Sequence, residues 1–196
     1  MSESLFPLFL KLQGRRVLLV GGGPVAAGKL TGLLAAGADV VVVAPEARPE
    51  IAASGVRLER RAFTPADLDG VWLVVAAAPP AVNREVAAAA AERRIFVNAV
   101  DDPRHASAYT GGVLRKGGVT VAVSTAGEAP ALAGLLREGL EDLVPEEVES
   151  WVREAAALKR RQREQGVPMA ARRPQLLQAL NRLYERRETT GGGASS

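Results

Sequence analysis

The sequence predicts an α/β protein: a Rossmann-type parallel sheet, then a small α+β segment, then a helical C-terminal region. Three observations carry this. Strand-length apolar runs alternate with helical patterns through the first hundred positions. A glycine-rich turn, "VGGGPVAA" (20–27), joins the first run to the first helix. Beyond residue 100 the texture changes to a hairpin and then to helices.

The strands come first. "RVLLV" (16–20), "VVVVA" (40–44), "VRLER" (56–60), "VWLVVAAA" (71–78) and "IFVNAV" (95–100) have strand length. Several are apolar throughout, as strands covered on both faces are. Residues 24–36 carry Val25, Leu30, Leu33 and Leu34 at helical spacing, and Gly37 marks the stop. Residues 80–93 begin with proline and are alanine-rich, which favours helix. The crossing around "TPADLDG" is short and has room for a turn of helix. Strand–helix–strand alternation requires right-handed crossovers and a parallel sheet.

The second half reads differently. "AYTGGVLRKGGVTVAVSTAG" predicts two strands meeting at "RKGG". "APALAGLLREGLEDLV" predicts an amphipathic helix with Leu132, Leu135, Leu136 and Leu140 on one side. Pro145 ends it. Residues 146–164 and 173–187 predict two more helices around "GVPMAARRP". The expected organisation is a Rossmann domain over 1–107, a dimerisation segment over 108–144, a helical domain over 145–188 and a disordered tail over 189–196.

Composition narrows the chemistry. There is no cysteine and one histidine. Disulfides, thiolate nucleophiles and multi-histidine metal sites are therefore excluded. No run reaches the ~20 apolar residues of a membrane span, and no signal peptide is expected. The cytoplasm is the default setting. Residues 151–196 hold ten Lys or Arg against four Asp or Glu. Such a segment suits an acidic partner or is a solvated face. Nucleic acid is not expected, because only Trp151 and Tyr184 there could stack on bases.

Gly21, Gly23 and Ala26 fit G-x-G-x-x-A between strand and helix. Gly21 permits the tight turn, Gly23 admits a pyrophosphate to the backbone, and Ala26 lets helix and strand approach. Gly22, Pro24 and Val25 complete the turn, where the helix N-terminus offers free N–H groups to phosphate. The second strand ends in Ala44, Pro45 and Glu46. Glu46 suits ribose hydroxyls and disfavours a 2′-phosphate, so the expected cofactor is NAD over NADP. Arg48 argues the other way. The small residues Ala76–Ala78, Ala77 among them, leave room for a nicotinamide.

Ligands of such sheets sit beyond the carboxyl ends of the strands. Asn98 and Asp101 leave one such end together. Loss of a hydride leaves a cation that must shed a proton, so a base there is useful, and Asp101 is the candidate. A plain turn-forming role in "VDDP" is the alternative. Asp102 reads as a turn or cap residue, and His105 as a surface or hydrogen-bonding one.

The sequence resembles the precorrin-2 dehydrogenase family, the N-terminal module of siroheme synthases. The matching pieces are "LFPLFLKLQGRRVLLVGGGPVAAGKL", "LLAAGADVVVVAPE", "FVNAVDDP" and "VTVAVSTAGEAPALAGLLRE", in the family's order over about residues 5–145. The S-T-x-G-x-[SA]-P-x-L-A signature is the most specific of them. The resemblance implies NAD-dependent oxidation of precorrin-2 to sirohydrochlorin by a homodimer joined through its middle segment. It places the family's functional aspartate on Asp101 and cofactor contacts on Pro24, Val25, Pro45 and Glu46. Ser124 and Thr125 would meet the tetrapyrrole's carboxylates or cap the next helix. Glu128 and Gly28 depart from the usual residues of the family.

Some relatives also insert Fe²⁺, so a dehydrogenase–chelatase is the alternative, with no protein metal site. A redox sensor that reads NAD/NADH is the alternative of another class. Methylation of the precursor is expected from another protein. Arg153, Lys159, Arg160, Arg161, Arg172 and Arg173 could draw the anionic substrate inward.

Overall fold

The computed structural model describes residues 5–191. The chain forms two compact units, one running up to Gly111 and including Ser124–Leu132, the other comprising Gly112–Val123 and the chain from Ala133 onward.

The first unit is a five-stranded parallel sheet in the order β3-β2-β1-β4-β5. Its strands are β1 (Arg16–Val20), β2 (Asp39–Val43), β3 (Arg57–Glu59), β4 (Leu73–Ala76) and β5 (Phe96–Ala99). Alternation along β1 divides the core. Val17 and Leu19 face α1 (Pro24–Ala35) and α2 (Pro49–Ala52), packing on Leu30, Leu33 and Ile51. Leu18 and Val20 face α3 (Pro80–Glu92), packing on Val86 and Ala90. Full burial of each such side chain contributes about 1.5–3 kcal/mol. Apolar matter on both faces is why these strands read as continuous hydrophobic runs.

Gly37, at φ +71°, ends α1, and the space a Cβ would need there is taken by the Gln13 side chain. The short crossing before β4 holds one 3-10 turn, Pro65–Leu68. The four-residue α2 was not legible in the hydrophobic pattern. Edge strand β5 is covered by the chain that follows it. The amides of Ser107 and Ala108 both donate to Val97 O, and Val97 N donates to Ser107 Oγ. These bonds satisfy groups that an open edge would expose.

Asp67 pins the 3-10 turn. Both its oxygens accept from Arg61, at 2.6 and 2.8 Å, and Oδ2 also accepts from Thr64 N at 2.8 Å. The Arg61 guanidinium, helped by that amide, holds the Asp67 carboxyl below its usual range. A depressed carboxyl stabilises the fold above its unfolded pKa, and the gain is lost as pH falls through the folded value. Arg61 remains 43% exposed, so screening limits the pair. Asp67→Asn should cost about 1 kcal/mol at neutral pH. In urea denaturation the gap to wild type should close as the pH is lowered through the carboxylate range.

In the second unit, β6 (Gly112–Lys116) and β7 (Val119–Val123) form an antiparallel hairpin. Gly117 and Gly118 turn it with φ of +52° and +83°, the two positive values a type I′ turn requires. Gly117 also sits too close to Val148 and Glu149 to carry a Cβ. Helices α5 (Val148–Glu164) and α6 (Met169–Gly191) follow, and buried Gln162 links them by donating to Arg172 O and Gln175 Oε1. Helix α6 begins earlier than its expected start at 173 and takes in Pro174. Residues 189–191, expected in a disordered tail, belong to α6, which continues unbroken by proline or glycine from Gln175 to Thr190. Residues 192–196 lie outside the described residues.

Helix α4 (Pro130–Leu143) buries only Ala133. Its leucine stripe is open: Leu132, Leu135, Leu136 and Leu143 are all exposed, Leu135 by 65%. Among the described residues no helix is long and apolar enough to cross a membrane.

Candidate functional site

A cleft of about 590 Å³ opens at the carboxyl ends of β1, β2 and β4. It is lined by every residue the sequence assigned to the cofactor: Gly21, Gly22, Gly23, Pro24, Val25, Ala44, Pro45, Glu46 and Ala77. Each glycine has a separate reason to be there. Gly21 adopts φ +124°, and a Cβ on it would lie 2.2 Å from Ala77 O. A Cβ on Gly22 would lie 1.9 Å from Glu46 O. Gly22 therefore lets the turn pack against the end of β2, and Gly22 O accepts from Arg48 N at 2.9 Å. Gly23 differs, since nothing lies within 4 Å of the Cβ it lacks.

Gly23 is the N-cap of α1, so no side chain caps that end, and the first turn holds no acidic residue. The opening amides of a helix have no acceptor within it and concentrate its positive end. Open space at Gly23, uncapped amides and small walls together fit a dinucleotide's pyrophosphate.

The far wall rests on a residue the sequence reading passed over. Asn83 of α3 is buried, and its Oδ1 accepts from Ala78 N at 3.0 Å, fixing the loop after β4. Phe63, Val82 and Glu85 also line the cleft and were not anticipated. Among the described residues, Glu46 and Glu85 are the charged ones lining the cleft. Arg48 does not: its Nε is held by Glu50 at 3.0 and 3.2 Å.

Asp101 does not line this cleft. Val100 N donates to Ala76 O at 2.9 Å, so Asp101 leaves the sheet alongside Ala77. It is exposed and adopts φ +57°. Asp is among the few residues that enter this region readily. That geometry serves both readings of Asp101, base and turn former. Asp102 is the N-cap residue of the 3-10 turn Pro103–His105, and its Oδ2 lies 2.8 Å from His105 Nδ1. Its Oδ1 is buried without a partner.

Asn98 is only 7% exposed. Its Nδ2 donates to Ala108 O at 3.0 Å, and its Oδ1 accepts from Thr110 Oγ1 at 3.4 Å. Both polar atoms thus hold the loop after β5. Ser124 Oγ accepts from Ala126 N, and Thr125 Oγ1 accepts from Ala129 N just before α4. Each hydroxyl hydrogen stays available to donate. The turn that follows Ser124 and Thr125 packs on the loop after Asp101 through Gly127. Gly127, at φ +81°, lies against Pro103 and Tyr109, where a Cβ would come within 3.2 Å of both. Tyr109 Oη in turn donates to Pro103 O at 3.0 Å.

The basic helices are partly spent internally. Arg153 pairs with Glu149, Arg161 with Glu154, and Arg172 donates to Val167 O.

Residues 8–112 match a family model described as "Putative NAD(P)-binding". A siroheme synthase of Photorhabdus laumondii subsp. laumondii is 42% identical over 180 residues, which are 89% of this chain and 38% of that protein. One from Chromobacterium violaceum is 47% identical over 145 residues, 71% of this chain and 31% of that protein. The chain thus spans well under half the length of these relatives. Among solved structures, a precorrin-2 dehydrogenase, SirC, superposes with a TM-score of 0.69 at 26% identity, covering 89% of this chain and 88% of that one. The family model covers more than half of the residues and ends just past the loop that follows β5, so the chain belongs to this NAD(P)-binding family.

Proposed function

We propose that this protein is an NAD-dependent precorrin-2 dehydrogenase, forming sirohydrochlorin on the route to siroheme. The observation that carries this is the pairing of an open pyrophosphate cradle at Gly23 with a carboxylate, Asp101, leaving the adjacent strand beside Ala77. The likeness to SirC over nearly the whole of both chains supports the substrate class. A bound dinucleotide supplies the hydride acceptor. The protein's own residues do the rest. The turn at Gly21–Val25 holds the diphosphate, and Ala77 leaves space for the reacting ring. As a substrate C–H bond breaks and its electron pair leaves with the hydrogen, a proton must also depart, and an Asp101 carboxylate oxygen takes it. The Ser124 and Thr125 hydroxyls donate to substrate carboxylates.

NAD is the cofactor of this reading. Glu46 and Glu85 would repel a 2′-phosphate, and Arg48 is held by Glu50. The test is anaerobic mixing with precorrin-2 and either dinucleotide. Reduced cofactor and the sirohydrochlorin spectrum should appear together, with kcat/KM for NAD at least about tenfold above that for NADP, some 1.4 kcal/mol. Absence of both signals refutes the activity, and equal use of NADP refutes the specificity.

The reading includes a cytoplasmic homodimer joined through residues 108–144, supported by the open leucine stripe of α4. A second reading adds Fe²⁺ insertion into the product, supported by the name siroheme synthase that its relatives carry.

A further inference from the structure

Lys29 belongs to α1, one residue before buried Leu30. A lysine beside a core ordinarily extends its ammonium into water. This one is half-buried and reaches the loop after β5, where Nζ donates to Thr110 Oγ1 at 2.6 Å across 81 residues of sequence. Thr110 continues to Asn98 Oδ1, and Asn98 to Ala108 O. The ammonium is thereby tethered to the strand that delivers Asp101.

An ammonium has three donors. Thr110 takes one, and among the described residues no carboxylate forms an ion pair with Lys29. Four arginines of this unit differ in being paired: Arg48, Arg57, Arg61 and Arg93 meet Glu50, Glu59, Asp67 and Asp69. Burial pulls the Lys29 pKa down, while the charge of Asp101 acts on it in the opposite direction. Among the described residues, the charged side chains lining the dinucleotide cleft are carboxylates, Glu46 and Glu85.

We propose that Lys29 anchors the substrate, its spare N–H donors binding a carboxylate of the tetrapyrrole beside Asp101. This rests on the dehydrogenase reading above. Lys29 makes no contact with the cofactor cleft, so its effect should fall on one ligand alone.

The test titrates wild type, Lys29→Met, Lys29→Gln and Lys29→Arg with NAD and with uroporphyrin, a stable polycarboxylate tetrapyrrole, and measures precorrin-2 kinetics alongside. In Lys29→Met and Lys29→Gln the uroporphyrin Kd and the precorrin-2 KM should rise about tenfold, the loss of one charge-assisted hydrogen bond. The NAD Kd should stay within about twofold, and Lys29→Arg should recover most of the loss, because it restores the cation. Added salt should narrow the gap between wild type and Lys29→Met. Unchanged tetrapyrrole affinity in both neutral variants overturns the proposal. So does a joint loss of both ligands, which marks a structural lesion, or a fall in kcat with both affinities intact, which makes Lys29 an orienting partner of Asp101. A wild type that binds NAD but neither binds nor oxidises any tetrapyrrole overturns the dehydrogenase reading, and this proposal with it.

Discussion

Asp101→Asn is expected to fold as wild type does, to bind dinucleotide with unchanged affinity, and to lose about two to four orders of magnitude in turnover. The choice of asparagine follows from the backbone. Asp101 sits at φ +57°, where most side chains are strained by about 1–2 kcal/mol. Asparagine tolerates that region nearly as well as aspartate and removes only the charge. Alanine would add backbone strain and blur the result. Asp101→Gly is the complementary variant, keeping the turn while deleting the carboxylate and its stem. If both lose turnover and keep melting temperature, the base assignment stands. If Asp101→Asn turns over at the wild-type rate, Asp101 is a turn former and the mechanism lacks its base.

The second large effect separates two neighbouring glycines. Gly22→Ala should fail to fold stably. Its Cβ would fall 1.9 Å from Glu46 O and 2.7 Å from Ala47 Cα, both backbone atoms that cannot rotate away. Overpacking of this kind costs about 1–3 kcal/mol, and more against rigid backbone. Gly23→Ala should fold normally, because its φ of −80° is ordinary and its Cβ meets no protein atom. It should instead weaken dinucleotide binding by one to two orders of magnitude, roughly, because the new methyl occupies the pyrophosphate's approach. Thermal denaturation and dinucleotide titration of both variants read the two effects separately. A Gly23→Ala protein that binds NAD as tightly as wild type would show that the diphosphate does not rest there.

The fold was legible because its signals are local. Five strand-length runs, most of them apolar, Gly37 at a helix end and two glycines in the hairpin turn are each set by short-range sterics and by which faces must be buried. The same holds for the turn at Gly21–Val25 and for the strand end at Ala44–Glu46, which line one cleft as their places in a parallel sheet demand. Where local signals were weak, as in the four-residue α2 and the start of α6 ahead of Pro174, hydrophobic spacing did not reveal the boundaries.

Other features depend on distances between residues far apart in the chain. No spacing rule reveals that Gly22 must be glycine to clear Glu46. Nor does it reveal that Lys29 meets Thr110 across 81 residues. Sequence by itself determined the sheet, the glycine turn and the candidate carboxylate, because periodicity and backbone sterics act over a few residues. Tertiary structure alone decided which polar atoms are already satisfied and which remain free for a ligand, because that accounting closes only once distant segments are packed together.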